Sequence, residues 1–116
     1  MNLGDHRELI VWQKAMDLVV GVYRLTHSFP LTEQYGLTSQ MRRAALSIPS
    51  NIAEGRRRNS EGDYQRFLSI AFGSGAELET QLDIAERLGF GDTRLLTEQK
   101  RSLDEVMRIL NKMTSD

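Results

Sequence analysis

The sequence predicts an all-α protein, a single antiparallel up-down-up-down four-helix bundle that spans residues 1–116. Three observations lead to this prediction. Apolar residues recur at intervals of three and four in four separate stretches, which is the spacing of one helix face. No stretch shows the alternation of apolar and polar residues that is typical of a strand. The four stretches are joined by short connections, so neighbouring helices must run antiparallel.

The first predicted helix covers residues 9–28, and its apolar residues form two adjacent rows. The row with the spacing of a bundle seam comprises Trp12, Ala15, Met16, Val19, Val22, Tyr23 and Thr26. The second row comprises Val11, Leu18 and Leu25. Because one bundle core needs only one stripe, we expect the second row to be exposed and to lie at a contact between subunits. A single wide stripe that faces the core is the alternative interpretation.

The second predicted helix covers residues 35–55 and has a proline, Pro49, within its apolar stripe. A proline in a helix interior removes one backbone donor and costs about 3 kcal/mol, so we expect a kink there. The neighbouring Ser50 and Asn51 carry short polar side chains that can bond the freed backbone groups. We favour this structural role over a ligand pocket opened by the kink. Gly55 is predicted to end the helix as a left-handed cap.

The third predicted helix begins at Ser60 and contains two glycines in its interior, Gly73 and Gly75. Each costs about 1 kcal/mol relative to alanine in a helix interior. Close approach of another helix would offset this cost, and the segment around Pro49 is the expected neighbour. The fourth helix begins at Asp92 or Thr93, and its apolar residues follow the most regular heptad pattern in the chain.

The composition limits the classes of function. The chain has no cysteine, which excludes disulfides, cysteine-ligated zinc and thiol catalysis. Neither His6 nor His27 has a carboxylate three residues before it, so the Glu-x-x-His pair of di-metal bundles is missing. No nucleophile comes with a histidine base, and no glycine loop follows a strand. We therefore expect a non-enzyme without a metal or cofactor, and a cytoplasmic protein without membrane contact.

The basic residues are concentrated in one part of the chain. The net charge is −1, but residues 36–66 carry six arginines against three carboxylates, a local charge of +3. Arg56, Arg57 and Arg58 stand at the turn between the second and third helices, and Arg42, Arg43 and Arg66 are expected on nearby turns. Clustered arginines of this kind bind the phosphates of nucleic acids. The alternative is a solvated cluster that is neutralised by neighbouring carboxylates.

Three segments, YGLTSQMRRAA, SIPSNIAEG and FLSIAFGSGAELETQL, occur in this order. In these segments the chain resembles the four-helix-bundle proteins of the 23S rRNA intervening-sequence family. These are small bacterial proteins encoded within or near ribosomal RNA genes, and the accessory protein of diversity-generating retroelements is similar to them. The resemblance implies a homo-oligomer in the form of a ring of five. Two functions remain open: a non-catalytic accessory protein that binds RNA or DNA, and an oligomeric scaffold for a protein partner such as a polymerase.

Overall fold

The computed structural model of the protein describes residues 4–114, and within this range it contains four long helices and no strand. The helices are α1 (Ile10–His27), α2 (Leu37–Arg56), α3 (Glu61–Leu88) and α4 (Thr93–Thr114). Two short 3₁₀ helices precede α1 and α2, at His6–Glu8 and Leu31–Glu33. Among the described residues, no helix has both the length and the apolar character needed to cross a bilayer.

The helices form the predicted up-down-up-down bundle, in which α1 and α3 each pack against both α2 and α4. In every neighbouring pair, a residue in the first half of one helix lies beside a residue in the second half of its neighbour or just past its end. These pairs are Lys14 with Glu105, Arg42 with Tyr23, Phe67 with Arg58 and Lys100 with Glu86. All four neighbouring pairs are therefore antiparallel.

The interpretation of Val11, Leu18 and Leu25 as an exposed row is wrong. Their exposed fractions are 2%, 0% and 0%, and they lie in the core shared by all four helices. Together with Ala15 and Val22 they recur at alternating intervals of four and three, which is itself the pattern of a bundle seam. The exposed apolar residues of α1 are Met16 and Tyr23, from the other predicted row, and Ile10 and Val20, which belong to neither row.

α2 continues through Pro49, whose side chain is buried, and the kink at this residue stays a prediction. Asn51 Nδ2 donates to the backbone oxygen of Ser47 (2.8 Å) and to its Oγ (2.9 Å). Ser47 Oγ in turn shares a hydrogen bond of 2.7 Å with Ser74 Oγ on α3. The polar residues around the proline therefore join α2 to α3. Ser50 is exposed and takes no part in this network.

The small residues of α3 face three different directions. Ser74 bonds Ser47 of α2, in the segment around Pro49, as expected. Gly75, however, packs against the Met107 side chain of α4, so a Cβ at position 75 would collide with the methionine sulfur. Gly73 faces open space, with no atom within 4 Å of an added Cβ. The predicted contact of both glycines with the proline segment is therefore wrong, because successive residues of a helix point about 100° apart.

Gly55 is not a left-handed cap. The positive φ angles of the described residues belong to other glycines, among them Gly89 (φ 71°), which ends α3. Gly55 lies within the last turn of α2, where an added Cβ would be 2.7 Å from Phe67 Cβ and 3.3 Å from the backbone oxygen of Tyr64. It therefore allows the end of α2 to approach the beginning of α3 closely.

We predict that Gly75→Leu destabilises the protein by about 1 to 3 kcal/mol or more, because the new side chain overpacks the contact with Met107. The matched control is Ala76→Leu, at the next position of α3, which is exposed. It should change the free energy of unfolding by less than about 0.5 kcal/mol. Urea denaturation measures both values. Equal midpoints for the two variants would show that Gly75 does not face α4.

Candidate nucleic-acid interface

Four of the six predicted arginines lie together at one end of the bundle. Arg56 is the last residue of α2, Arg57 and Arg58 follow in the turn, and Arg66 lies on the second turn of α3. We call Arg56, Arg57, Arg58 and Arg66 the turn cluster. The turn places them together because α3 reverses the chain direction and packs along α2.

Two guanidinium groups of the turn cluster share one aromatic ring. The Cζ atoms of Arg58 and Arg66 lie 4.8 and 4.5 Å from the centre of the Phe67 ring. The ring itself is 7% exposed, whereas the Arg66 side chain is 58% exposed. Such contacts contribute about 0.5 to 1 kcal/mol each at exposed sites. Phe67 therefore positions two guanidinium groups on the surface and leaves their N–H groups accessible.

Arg56 has a different environment from its neighbours. It is half-buried, its Nη1 donates to the Tyr64 hydroxyl (3.2 Å), and its Cζ lies 5.5 Å from the centre of the Tyr64 ring. Its Nε is buried without a hydrogen-bond partner among the described residues. Because Tyr64 belongs to α3, Arg56 fastens the end of α2 to α3. Its role is more structural than that of the other arginines in the cluster.

Every exposed arginine of the turn cluster has a carboxylate nearby. Arg58 is paired with Glu54 at 2.7 Å, Arg66 with Asp63 at 3.6 Å and Arg57 with Asp5 at 3.9 Å. A hydrogen bond from the backbone N–H of Arg7 lowers the pKa of Asp5, with smaller contributions from the charges of Arg7, His6 and Arg57. The cluster is thus partly neutralised, as the alternative interpretation of the sequence expects. Glu61 stands apart from these pairs and bonds Gln65.

Arg42 and Arg43 are not part of this cluster, so the expectation that all six arginines lie on nearby turns is wrong. Arg42 precedes Arg56 by fourteen residues on the same helix, which corresponds to about 21 Å. Its Nε donates to Thr26 Oγ1 (2.9 Å), and its Cζ lies 4.5 Å from the centre of the Tyr23 ring of α1. Arg43 is exposed. The structure therefore contains two separate basic regions.

Some residues that shape the cluster escaped the sequence prediction. The sequence pattern does not indicate that Phe67 lies beneath two of the arginines or that Asp5 lies near Arg57. The pairs of Arg58 with Glu54 and of Arg66 with Asp63 have helical spacings of four and three, which the sequence does indicate. Among the described residues, no group of three or more His, Asp or Glu side chains is arranged to hold a metal ion.

Comparisons with known proteins agree with the fold. A family model described as 23S rRNA-intervening sequence protein matches residues 7–112. No curated protein matches the chain. Its fold is similar to that of a crystal structure from Bacteroides thetaiotaomicron, described as a protein with unknown function from the S23 ribosomal protein family. The two share 21% sequence identity and a TM-score of 0.80, over 92% of this chain and 100% of that one.

Proposed function

Because the chain belongs to the 23S rRNA-intervening sequence protein family, we propose that it is a non-catalytic accessory protein that binds RNA through the turn cluster. The bound groups are backbone phosphates, and the binding is largely independent of base sequence. Single-stranded and double-stranded DNA carry the same phosphates, and we expect them to bind no more tightly than RNA.

The observation that carries this proposal is the shared ring of Phe67. Arg58 and Arg66 are held 4.8 and 4.5 Å from its centre, beside Arg57, whose side chain is 62% exposed. Planar guanidinium groups at the surface match the geometry of phosphate oxygens. Since the ring already restricts two of these side chains, less conformational entropy is lost when a phosphate binds.

The neighbouring carboxylates do not prevent this binding. The three ion pairs of the cluster lie at the surface, with carboxylate side chains that are 41 to 52% exposed. Exposed ion pairs contribute about 0 to 1 kcal/mol each, so a phosphate can replace a carboxylate at small cost. The carboxylates also weaken the long-range electrostatic attraction between the turn cluster and nucleic acid. A single subunit therefore binds RNA with low affinity.

Assembly compensates for this low affinity. We propose a homo-oligomer, and family membership favours a ring of five. Identical clusters repeated around a ring bind one nucleic acid together, and the avidity can exceed the affinity of one site by about 10² or more. The base-stacking contribution is small, because Tyr64 and Phe67 are 5% and 7% exposed and covered by arginines.

We predict that Arg57→Gln, Arg58→Gln and Arg66→Gln in one chain lower RNA affinity at least tenfold at low salt. Arg56 is left unchanged because it fastens α2 to α3. The control replaces Arg94, Arg101 and Arg108 of α4 by glutamine, which removes the same charge from exposed positions. Fluorescence anisotropy with a labelled RNA of about 20 nucleotides measures binding, and light scattering verifies the oligomer. Equal losses in both triple variants would show that only the net charge matters.

The second candidate function is an oligomeric scaffold that binds a protein partner, for example a polymerase, without contacting nucleic acid. The exposed apolar residues Met16, Val20 and Tyr23 on α1 favour it. Absence of RNA binding by the wild-type protein at low salt would favour this function over the first.

A further inference from the structure

Two rows of exposed apolar residues remain on the surface of the bundle. The first, which we call the α1–α2 strip, consists of Met16, Val20, Tyr23 and Leu46, with exposed fractions of 40, 48, 39 and 42%. Leu46 is one turn beyond Arg42, which lies on Tyr23, so the four residues are neighbours. Half-buried Val19 lies between Met16 and Tyr23 on the same side.

The second row, which we call the α3 strip, consists of Ile70, Gly73, Glu77, Ile84 and Leu88. Ile70, Ile84 and Leu88 are 42, 42 and 57% exposed. The spacings of three, four, seven and four residues place all five on one side of the helix. A Cβ at Gly73 would meet no atom within 4 Å, so another helix can approach closely there.

The net charges around the two strips are opposite in sign. Residues 16–28 and 37–53, which contain the α1–α2 strip and its surroundings, include one acidic residue, Asp17, next to Met16. Their three arginines are Arg24, Arg42 and Arg43, and none forms an ion pair within residues 4–114. This side of the bundle is therefore basic as well as apolar.

α3 has the opposite character, because residues 66–88, which contain the α3 strip, include four acidic residues against two basic ones, Arg66 and Arg87. Asp83 and Glu86 are paired with Lys100 of α4, at 3.0 and 2.7 Å. Glu77 and Glu79 have no such partner in the described part of the chain. Glu77 lies between Ile70 and Ile84, and so the α3 strip has an unpaired negative charge at its centre.

We propose that the α1–α2 strip of one copy of the chain binds the α3 strip of a second copy. This inference identifies the contact within the oligomer that the proposed function requires, and it rests on that part of the proposal. The contact covers the α1–α2 strip and part of the α3 strip, and it brings Glu77 of one copy to the arginines around the α1–α2 strip of the other. A contact of the α1–α2 strip with itself would instead oppose arginines to arginines, which is unfavourable.

The positions of the strips determine the kind of assembly. The contact is heterologous, because each copy contributes a different surface, and heterologous contacts form closed rings or open filaments. Ser74 faces α2 and Gly75 faces α4, and the α3 strip lies on the same flank of α3 as Ser74. The two strips are thus on adjacent sides of the bundle. Because the two contact surfaces are at an angle, each added copy is rotated relative to the previous one, and this rotation favours a small closed ring.

A mixing experiment with two single variants tests the contact. Val20→Lys places a charge in the α1–α2 strip, and Ile84→Lys places one in the α3 strip, so each variant keeps one intact surface. We expect each alone to be a monomer of about 13.2 kDa by light scattering. An equimolar mixture should form a complex of two chains and no larger species, since only one intact pair of strips is available. The control, Leu31→Lys, changes an 82% exposed leucine outside both strips and should keep the wild-type mass.

The outcomes separate this inference from the proposed function. Wild-type mass in both single variants would overturn the contact while leaving oligomerisation and RNA binding intact. Loss of assembly in only one variant, or no complex in the mixture, would overturn the head-to-tail arrangement and indicate a symmetric contact. A wild-type protein that is itself monomeric would overturn the contact and the oligomer together, and RNA binding by that monomer would still be measurable by anisotropy.

Discussion

Replacing Gly55 by leucine should cost about 3 kcal/mol or more of the free energy of unfolding. The reason is that the atoms around Gly55 cannot move easily. An added Cβ would lie 2.7 Å from Phe67 Cβ and 3.3 Å from the Tyr64 backbone oxygen, and neither atom belongs to the mobile end of a side chain. α2 and α3 would have to move apart. Met107, which faces Gly75, can change rotamer, and so the cost there is smaller.

The matched control for this substitution is Gly62→Leu in the first turn of α3, where an added Cβ meets nothing within 4 Å. Urea denaturation of the control should give a free energy of unfolding equal to that of the wild type or up to about 1 kcal/mol higher, because glycine is unfavourable in a helix. A Gly55→Leu variant as stable as the control would mean that α2 and α3 are farther apart at this end. It would also contradict the position of Phe67 beneath the arginines, which depends on the close approach of α2 and α3.

Leu18→Ala should destabilise the protein by about 2 to 5 kcal/mol, because it leaves a cavity in the centre of the bundle. Leu18 is 0% exposed and belongs to the core shared by the four helices. Ile10→Ala is the control, at a residue of the same helix that is 64% exposed, and its effect should stay below about 1 kcal/mol. Thermal and urea unfolding measure both. A mild effect at Leu18 would restore the interpretation in which its row lies on the surface.

The fold could be predicted from the sequence because the apolar spacing of each helix is local information. The orientation of α1 could not, because its two apolar rows both have helical spacing. The choice between them depends on tertiary contacts. Gly21 is one of these, since it lies against the Gln99 side chain of α4 and brings the Leu18 side of α1 towards the core. The apolar pattern thus defines a wide arc of the α1 surface. The helices that pack against α1 determine which part of this arc is buried.

The candidate site was predictable to a similar extent. Helical spacing indicates the pairs of Arg58 with Glu54 and of Arg66 with Asp63. It also places Arg42 about 21 Å from Arg56, so this separation was available from the sequence once α2 was taken as continuous. The pairing of Arg57 with Asp5, at the far end of the sequence, depends on how the bundle closes. The same holds for the position of Phe67 under two arginines.

The salt dependence of RNA binding tests the central claim most directly. Binding through phosphates releases counterions, so the logarithm of the association constant falls linearly with the logarithm of the salt concentration. For a single-stranded RNA, removal of Arg57, Arg58 and Arg66 should make this slope less steep by about 2 for each subunit in contact, while the α4 control keeps the wild-type slope. Parallel lines for the wild type and the turn-cluster variant would contradict the claim, because the phosphates would then be bound elsewhere on the protein.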